Sequence, residues 1–403
     1  MPSSGPESIA VVGAGVSGCA FVAQLRRLGY TGALSLWETG RGPGGRASTR
    51  RSRQDHGLRI DHGAPLLNIT GATEPLLLQP LLAGGWIEPW PGLIAQLQGE
   101  ATLRPGQADA LGLGQLYRGR GGMDQLCKGL LSLAGEAGEA WQPHYGTLVR
   151  HLSREAGPWH LLGRNQELLG QADWLVLSST LLAHPRSRQI FGWEEVPLKQ
   201  AAERLGDLRL EHALTVIAGI RAEARSNLLV LLEAAAAGPW ADLPFSLLHF
   251  DAAAQQRWGL QRITIQPQQD GRCAVVAHST QAFAADHLDV YGTHSAVARM
   301  LQLPPDEGRE DTVIAALTTA LEQVMATWLP GLDLGTADRQ LMRWGAAFPL
   351  APGLPSELMF CSRSRVGFCG DFIAGVGFGR IEGALRSGEQ LALELCAAAD
   401  RCV

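Results

Sequence analysis

The chain has 403 residues, 46% of them hydrophobic, and a formal net charge of -5. That length and content suffice for one large or two medium cores, and the acidic balance gives no general attraction to nucleic acid. The seven cysteines are scattered without CxxC spacing, which indicates neither a disulfide framework nor a zinc site and suits a reducing cytoplasm.

The first apolar run, residues 9–28, lacks the basic flank and small-residue cleavage site of a secretory leader, and Gly13, Gly15 and Gly18 interrupt it. No uninterrupted apolar stretch of about 18 residues follows, so no membrane span is expected. Residues 8–38 read as strand, glycine turn, helix and strand. Gly- and Pro-rich loops are expected at 40–45 and 119–122. Residues 147–152 and 158–163 read as a hairpin, and 174–177 as a buried strand. The middle mixes expected strands at 215–220, 262–266 and 273–278 with a helix over 311–328, whose Val313, Leu317, Leu321 and Val324 share one face. A strand at 366–369 and a helix over 380–399 end the chain. The predicted class is α/β: a discontinuous Rossmann-like FAD-binding domain (1–70, 116–184 and 352–403) with an α+β substrate domain (71–115 and 185–351).

The glycine turn carries the chemistry. Gly13 permits a tight turn, Gly15 lets backbone approach a pyrophosphate, and Gly18 lets helix and strand pack closely. Val16 and Ser17 open the helix, whose N-terminus then faces the phosphates. Glu38 ends the second strand twenty residues past Gly18, where a carboxylate accepts the adenosine ribose hydroxyls. Beyond it stands a second turn, with Arg41, Gly44, Gly45 and Arg46. A plain NAD site has no need of one. A longer dinucleotide does, with Arg46 offering a planar fork to phosphate or flavin oxygens, and this spacing points to FAD.

The stretch 38–51 resembles the flavin amine oxidase superfamily, and its Arg-Gly-Pro-Gly-Gly-Arg wording is similar to the renalase-like branch. Further similar segments are Arg59 to Ala64, Gly121-Gly122-Met123, Val276 to Thr280 with His287-Leu288, Arg343-Trp344 to Pro349, Gly370-Asp371, and 379–388. Together they span nearly the whole chain. The resemblance implies cofactor contacts at Asp61, His62, Gly63, Ala64, Val149, Gly370, Asp371, Arg380, Ile381, Glu382 and Ala384. Asp371 would accept a ribityl hydroxyl or a pyrophosphate-bound water, and the helix from Gly379 would place its N-terminal dipole at the flavin. Ser387 and Gly388 read as packing residues. The sequence departs from the branch at Pro65, where a polar residue is usual, and in a looser insert over 375–379. Both departures fall where substrate would meet the flavin.

In this superfamily the flavin takes the hydride, so no catalytic triad is expected. His62 is the acid/base candidate, or else a brace for its loop. Trp344 walls the substrate pocket or merely packs, and His278 reads as a satisfied core histidine. The only lysines, Lys128 and Lys199, fall outside the flavin-facing motifs, which speaks against an amine-oxidation arrangement with lysine near the flavin. Arg41, Arg46, Arg50, Arg51 and Arg53 form a basic cluster, either solvated or steering an anionic substrate such as a pyridine dinucleotide. By resemblance, a renalase-like enzyme oxidises mis-reduced dihydropyridine dinucleotides and passes electrons to O2. The alternatives are an amine, polyene or quinone substrate, or a non-catalytic binding protein on the same fold, as in the Rab GDP dissociation inhibitors.

Overall fold

The computed structural model describes residues 7–399 apart from 53, 54, 56, 136–140, 156, 294, 296–297, 299–301 and 305. The short apolar segment Ile9–Val12 becomes the middle of a six-stranded sheet. It pairs in parallel with Leu34–Trp37 on one side and Trp174–Leu177 on the other. Trp141–His144 extends the first side, and Val366–Phe368 with Phe360–Cys361 the second. Strands buried on both faces need continuous apolar sequence, which these carry. The helix Val16–Arg27 covers one face, with the C-terminal helix Ile381–Ala399 against it. Gly388 permits that contact, because a Cβ there would stand 2.4 Å from the Ser17 carbonyl oxygen.

A seven-stranded sheet forms the second body, in the order Asp338–Pro349, Ala222–Leu232, Cys273–Ser279, Leu260–Pro267, Leu247–Phe250, Ile94–Gln98 and Thr102–Pro105. The helix Glu307–Met325 closes one face of it with Val313, Leu317, Leu321 and Val324, all buried as their spacing predicts. The expected hairpin is His151–Ser153 paired with Trp159–Leu162, and Leu168–Ala172 adds a third strand.

The strand expected at 215–220 is instead the end of a helix, Leu208–Gly219. Its β-branched residues suggest a strand, but Leu210, Ala213, Leu214 and Ile217 recur at helical spacing and are buried together. Thr215 donates its hydroxyl to the Glu211 carbonyl one turn back, which accommodates it. This helix packs into the core of the six-stranded sheet, as do Leu77, Leu78 and Leu81. The cores therefore do not divide at the boundaries expected at 71 and 185. Cys396 is disulfide-bonded, which the scattered spacing does not predict, and Cys402 lies outside the described residues. Among the described residues, no helix is long and apolar enough to cross a membrane.

Candidate functional site

The carboxyl ends of the parallel strands carry the glycine turn. Gly13 adopts φ +106° and donates its N–H to the Trp37 carbonyl at 2.7 Å, locking the turn between two strands. Gly18 sits against it so closely that a Cβ would meet the Gly13 carbonyl oxygen at 2.1 Å. Gly15 is different: a Cβ there would meet nothing within 4 Å, so its backbone borders open space. Val16 and Ser17 are buried at the helix start, with the Ser17 hydroxyl donating to the Ser178 carbonyl at 3.3 Å. Glu38 accepts from the backbone N–H of Ala14 at 2.8 Å and of Gly40 at 2.6 Å, and so stands at the turn.

The second turn docks on the first. The Gly44 N–H donates to the Ala14 carbonyl at 2.9 Å, and Gly44 and Gly45 adopt φ +144° and +55°. Arg46 then reaches across the molecule to Asp371, with two hydrogen bonds of 2.6 Å each, and donates to the Ala347 carbonyl at 2.7 Å. In this structure the Asp371 carboxylate is therefore engaged by a guanidinium. Gly370, whose N–H donates to the Ser387 hydroxyl at 2.9 Å, delivers it there. Ser387 thus positions backbone at the site rather than only packing.

A cleft of about 430 Å³ opens beside this bridge, lined among others by Arg46, Asp371, Ser178, Thr180, Arg186 and Arg221. Arg186 has no hydrogen-bond partner for its buried Nε and no ion pair among the described residues. Burial, with Arg46 nearby, pulls its pKa down to about 10. Asp371 offsets only part of that charge, so this half-buried cation favours an anion in the cleft. Sequence reasoning missed Arg186, which lies in no motif. Ser178 left a signal: it directly follows a buried parallel strand, where such sheets bind ligands.

Other expected contacts fall elsewhere. Glu382 is wholly buried, and its carboxylate accepts from the Thr70 N–H and hydroxyl, the Gly71 N–H and Arg386. It clamps the C-terminal helix to the 70–71 loop. Arg380 donates to the Thr70 hydroxyl at 2.7 Å in the same cluster. Ile381 and Ala384 pack on the first core, and Val149 is buried in it. Arg41 is exposed.

The loop after the second turn reaches the seven-stranded sheet. Gly63 allows close approach, since a Cβ there would meet the Arg46 carbonyl oxygen at 2.1 Å, and the Ala64 N–H donates to that oxygen at 2.8 Å. His62 stacks on Trp344 with ring centroids 5.5 Å apart. Its backbone carbonyl accepts from Asn227 Nδ2 at 2.8 Å and from Trp344 Nε1 at 3.4 Å. Burial, reinforced by Arg50, lowers its pKa to about 4, so the imidazole is neutral near pH 7. Its buried Nδ1 has no partner. Asp61 accepts from the Thr49 hydroxyl at 2.6 Å and the Met123 N–H at 2.9 Å, and burial raises its pKa to about 6.

The basic cluster is largely spent on internal pairs. Arg46 holds Asp371, and Arg51 holds Asp124 at 2.7 Å, while Arg50 is also engaged. Arg53 lies outside the described residues. Lys128 pairs with Asp124 at 2.6 Å and Lys199 is exposed on its helix, so neither lines the cleft.

The parallel sheet, its glycine turn and the acid ending the second strand define a Rossmann-like dinucleotide-binding fold, here joined to an antiparallel second body. Residues 11–77 match the family described as NAD(P)-binding Rossmann-like domain. No curated protein sequence matches the chain. Among solved structures the chain is similar to cyclohexylamine oxidase from Brevibacterium oxydans, with a TM-score of 0.63 at 13% identity over 98% of this chain and 100% of that one. An oxidoreductase from Methanosarcina mazei gives 0.61 at 11% identity, covering 96% and 100%. A putrescine oxidase mutant with redesigned cofactor binding gives 0.57 at 13%, covering 98% and 99%. At such identities the likeness is one of fold, and it runs the length of both chains.

Proposed function

We propose that this protein is an FAD-dependent oxidoreductase that takes hydride from a small reduced substrate and passes the electrons to O2. One observation carries the proposal: segments from both ends of the chain meet at a single cleft, closed by the two-pronged Arg46–Asp371 pair. The residues fit a flavin dinucleotide. Gly15 leaves open space that suits a pyrophosphate, Glu38 at the turn would meet a ribose, and Arg186 supplies positive charge that makes no ion pair among the described residues. Bound FAD would accept hydride at N5.

The chain's own residues orient and shield. Trp344 and His62 form a flat, stacked wall beside the loop that follows Arg46. A neutral His62 fits hydride transfer from a dihydropyridine, which moves no proton to the protein. The cleft's lysine-free lining favours such a donor over the amines suggested by the names of the structural neighbours. A dihydropyridine dinucleotide oxidised in the manner of the renalase-like branch is therefore the preferred substrate.

Purified protein should be yellow, bleach anaerobically with isomeric dihydronicotinamide dinucleotides rather than with amines, and recolour in air with formation of hydrogen peroxide. A colourless protein after gentle preparation would overturn the flavin assignment. Bleaching by amines alone would overturn the substrate.

A further inference from the structure

The seven-stranded sheet carries four polar residues in one row. Asn227 lies opposite His278, His278 opposite Arg262, and Arg262 opposite His249, on four neighbouring strands. Residues paired in this way point to one face of a sheet. All four are buried. Each has a side-chain atom with no hydrogen-bond partner: Asn227 Oδ1, His278 Nε2, Arg262 Nε and His249 Nε2. An unsatisfied buried polar atom costs about 1–3 kcal/mol, and native structures contain few. Four in register on one row point to a missing partner.

Packing alone does not demand the row. Two residues further along the strands the same face carries Leu229, Val276 and Thr264, with Leu229 and Val276 packed against Leu58 and Ile60, so a largely apolar packing serves there. The row's charge is only partly offset. Arg262 makes no ion pair or hydrogen bond among the described residues, and burial pulls its pKa down to about 10. The carboxylate acting on it, Asp109, offsets part of that charge without an ion pair to Arg262 and lies 3.1 Å from His249 Nδ1. Burial, with Arg262 and Arg225, holds His278 neutral, while Arg225 is itself paired with Glu223 at 2.5 Å.

The row starts at the candidate site, because Asn227 Nδ2 holds the His62 carbonyl. Arg262 stands two strands further, about 10 Å away at the usual strand spacing. We propose that Arg262 and His278 receive a phosphate group of the substrate, carried roughly that distance from the carbon that reacts beside His62 and Trp344. A pyridine nucleotide has this shape, whereas a simple amine or quinone does not. The inference deepens the oxidoreductase proposal by assigning the residues that select a phosphorylated substrate. Its test is a binding measurement that needs no turnover.

Titration calorimetry of the purified protein, as isolated, with oxidised nicotinamide mononucleotide and with nicotinamide riboside isolates the phosphate. The mononucleotide should bind at least about tenfold more tightly. Arg262→Met should abolish that preference while leaving Tm unchanged or higher, since it removes a buried cation that makes no ion pair among the described residues. Arg262→Lys, which keeps the charge but not the planar fork, should retain part of the preference and serves if the Met variant fails to fold. Arg309→Gln, at an exposed position of the Glu307–Met325 helix, should bind like the parent. Equal affinities, no binding of either probe, or a preference that survives in Arg262→Met would overturn the proposal. A colourless protein that still prefers the mononucleotide would sink the flavin assignment alone. A yellow protein without the preference would sink only this inference.

Discussion

Gly15 and Gly18 sit three residues apart and do different work. A side chain at Gly18 collides with the turn itself, so Gly18→Ala should destabilise the fold by about 1–3 kcal/mol, read by denaturant unfolding. Gly15 has an extended backbone and nothing near its absent Cβ. Gly15→Ala should therefore fold with an unchanged Tm when stripped of flavin, yet lose FAD affinity. If both functions fail together, the open space beside Gly15 is not the pyrophosphate cradle.

Asp61 makes a second residue-level case, because burial raises its pKa to about 6 from an unfolded value near 3.9. The folded state then holds the proton more tightly than the unfolded state does. Its contribution is fully present below about pH 4 and is lost as pH rises through about 6. Relative to Asp61→Asn, the parent should lose about 2 kcal/mol of unfolding free energy across that window. Parallel urea titrations at pH 4 and 7 measure it, and a difference independent of pH would refute the assignment.

At the scale of elements, Asp207 links the helix Leu208–Gly219 to the end of the six-stranded sheet. Its carboxylate accepts from the N–H groups of Arg209 and Leu210 and from the N–H and hydroxyl of Ser364. Asp207→Ala should cost about 3 kcal/mol, seen as a lower midpoint in chemical denaturation, because it uncaps the helix and orphans Ser364. That helix also marks where sequence reasoning stops. Val216 and Ile217 carry local strand preference, and the Asp207 cap with the helical spacing of Leu210, Ala213, Leu214 and Ile217, buried together, overrides it. The glycine turn was legible because its chemistry is local: strand, turn, helix and acid fall within thirty residues of sequence. The row from Asn227 to His249 was not, since pairing across four strands sets it and no spacing along the chain reveals it. His278 accordingly read as a satisfied core histidine, whereas its Nε2 has no partner.

Across the whole molecule, the cofactor body is assembled from strands near residues 10, 175 and 367, so its cohesion depends on contacts made late in the chain. Arg46 and Arg186 face the resulting cleft with opposite consequences. Arg46 already has Asp371, and because it is partly exposed the pair adds only modestly to the stability of the empty protein. Arg186 makes no ion pair among the described residues, so its partial burial is only partly offset, by the charge of Asp371. Ligand binding stabilises a fold by about 2.7 kcal/mol at one hundred times Kd, and a tenfold weaker Kd removes about 1.4 kcal/mol of that gain. Arg186→Met should therefore raise or preserve the Tm of flavin-stripped protein while reducing the stabilisation that a fixed FAD concentration confers. Thermal melts with and without FAD separate the two effects. If the variant is destabilised when stripped and gains as much from FAD as the parent, Arg186 is a structural residue, and the anion that balances it must be sought outside the cofactor.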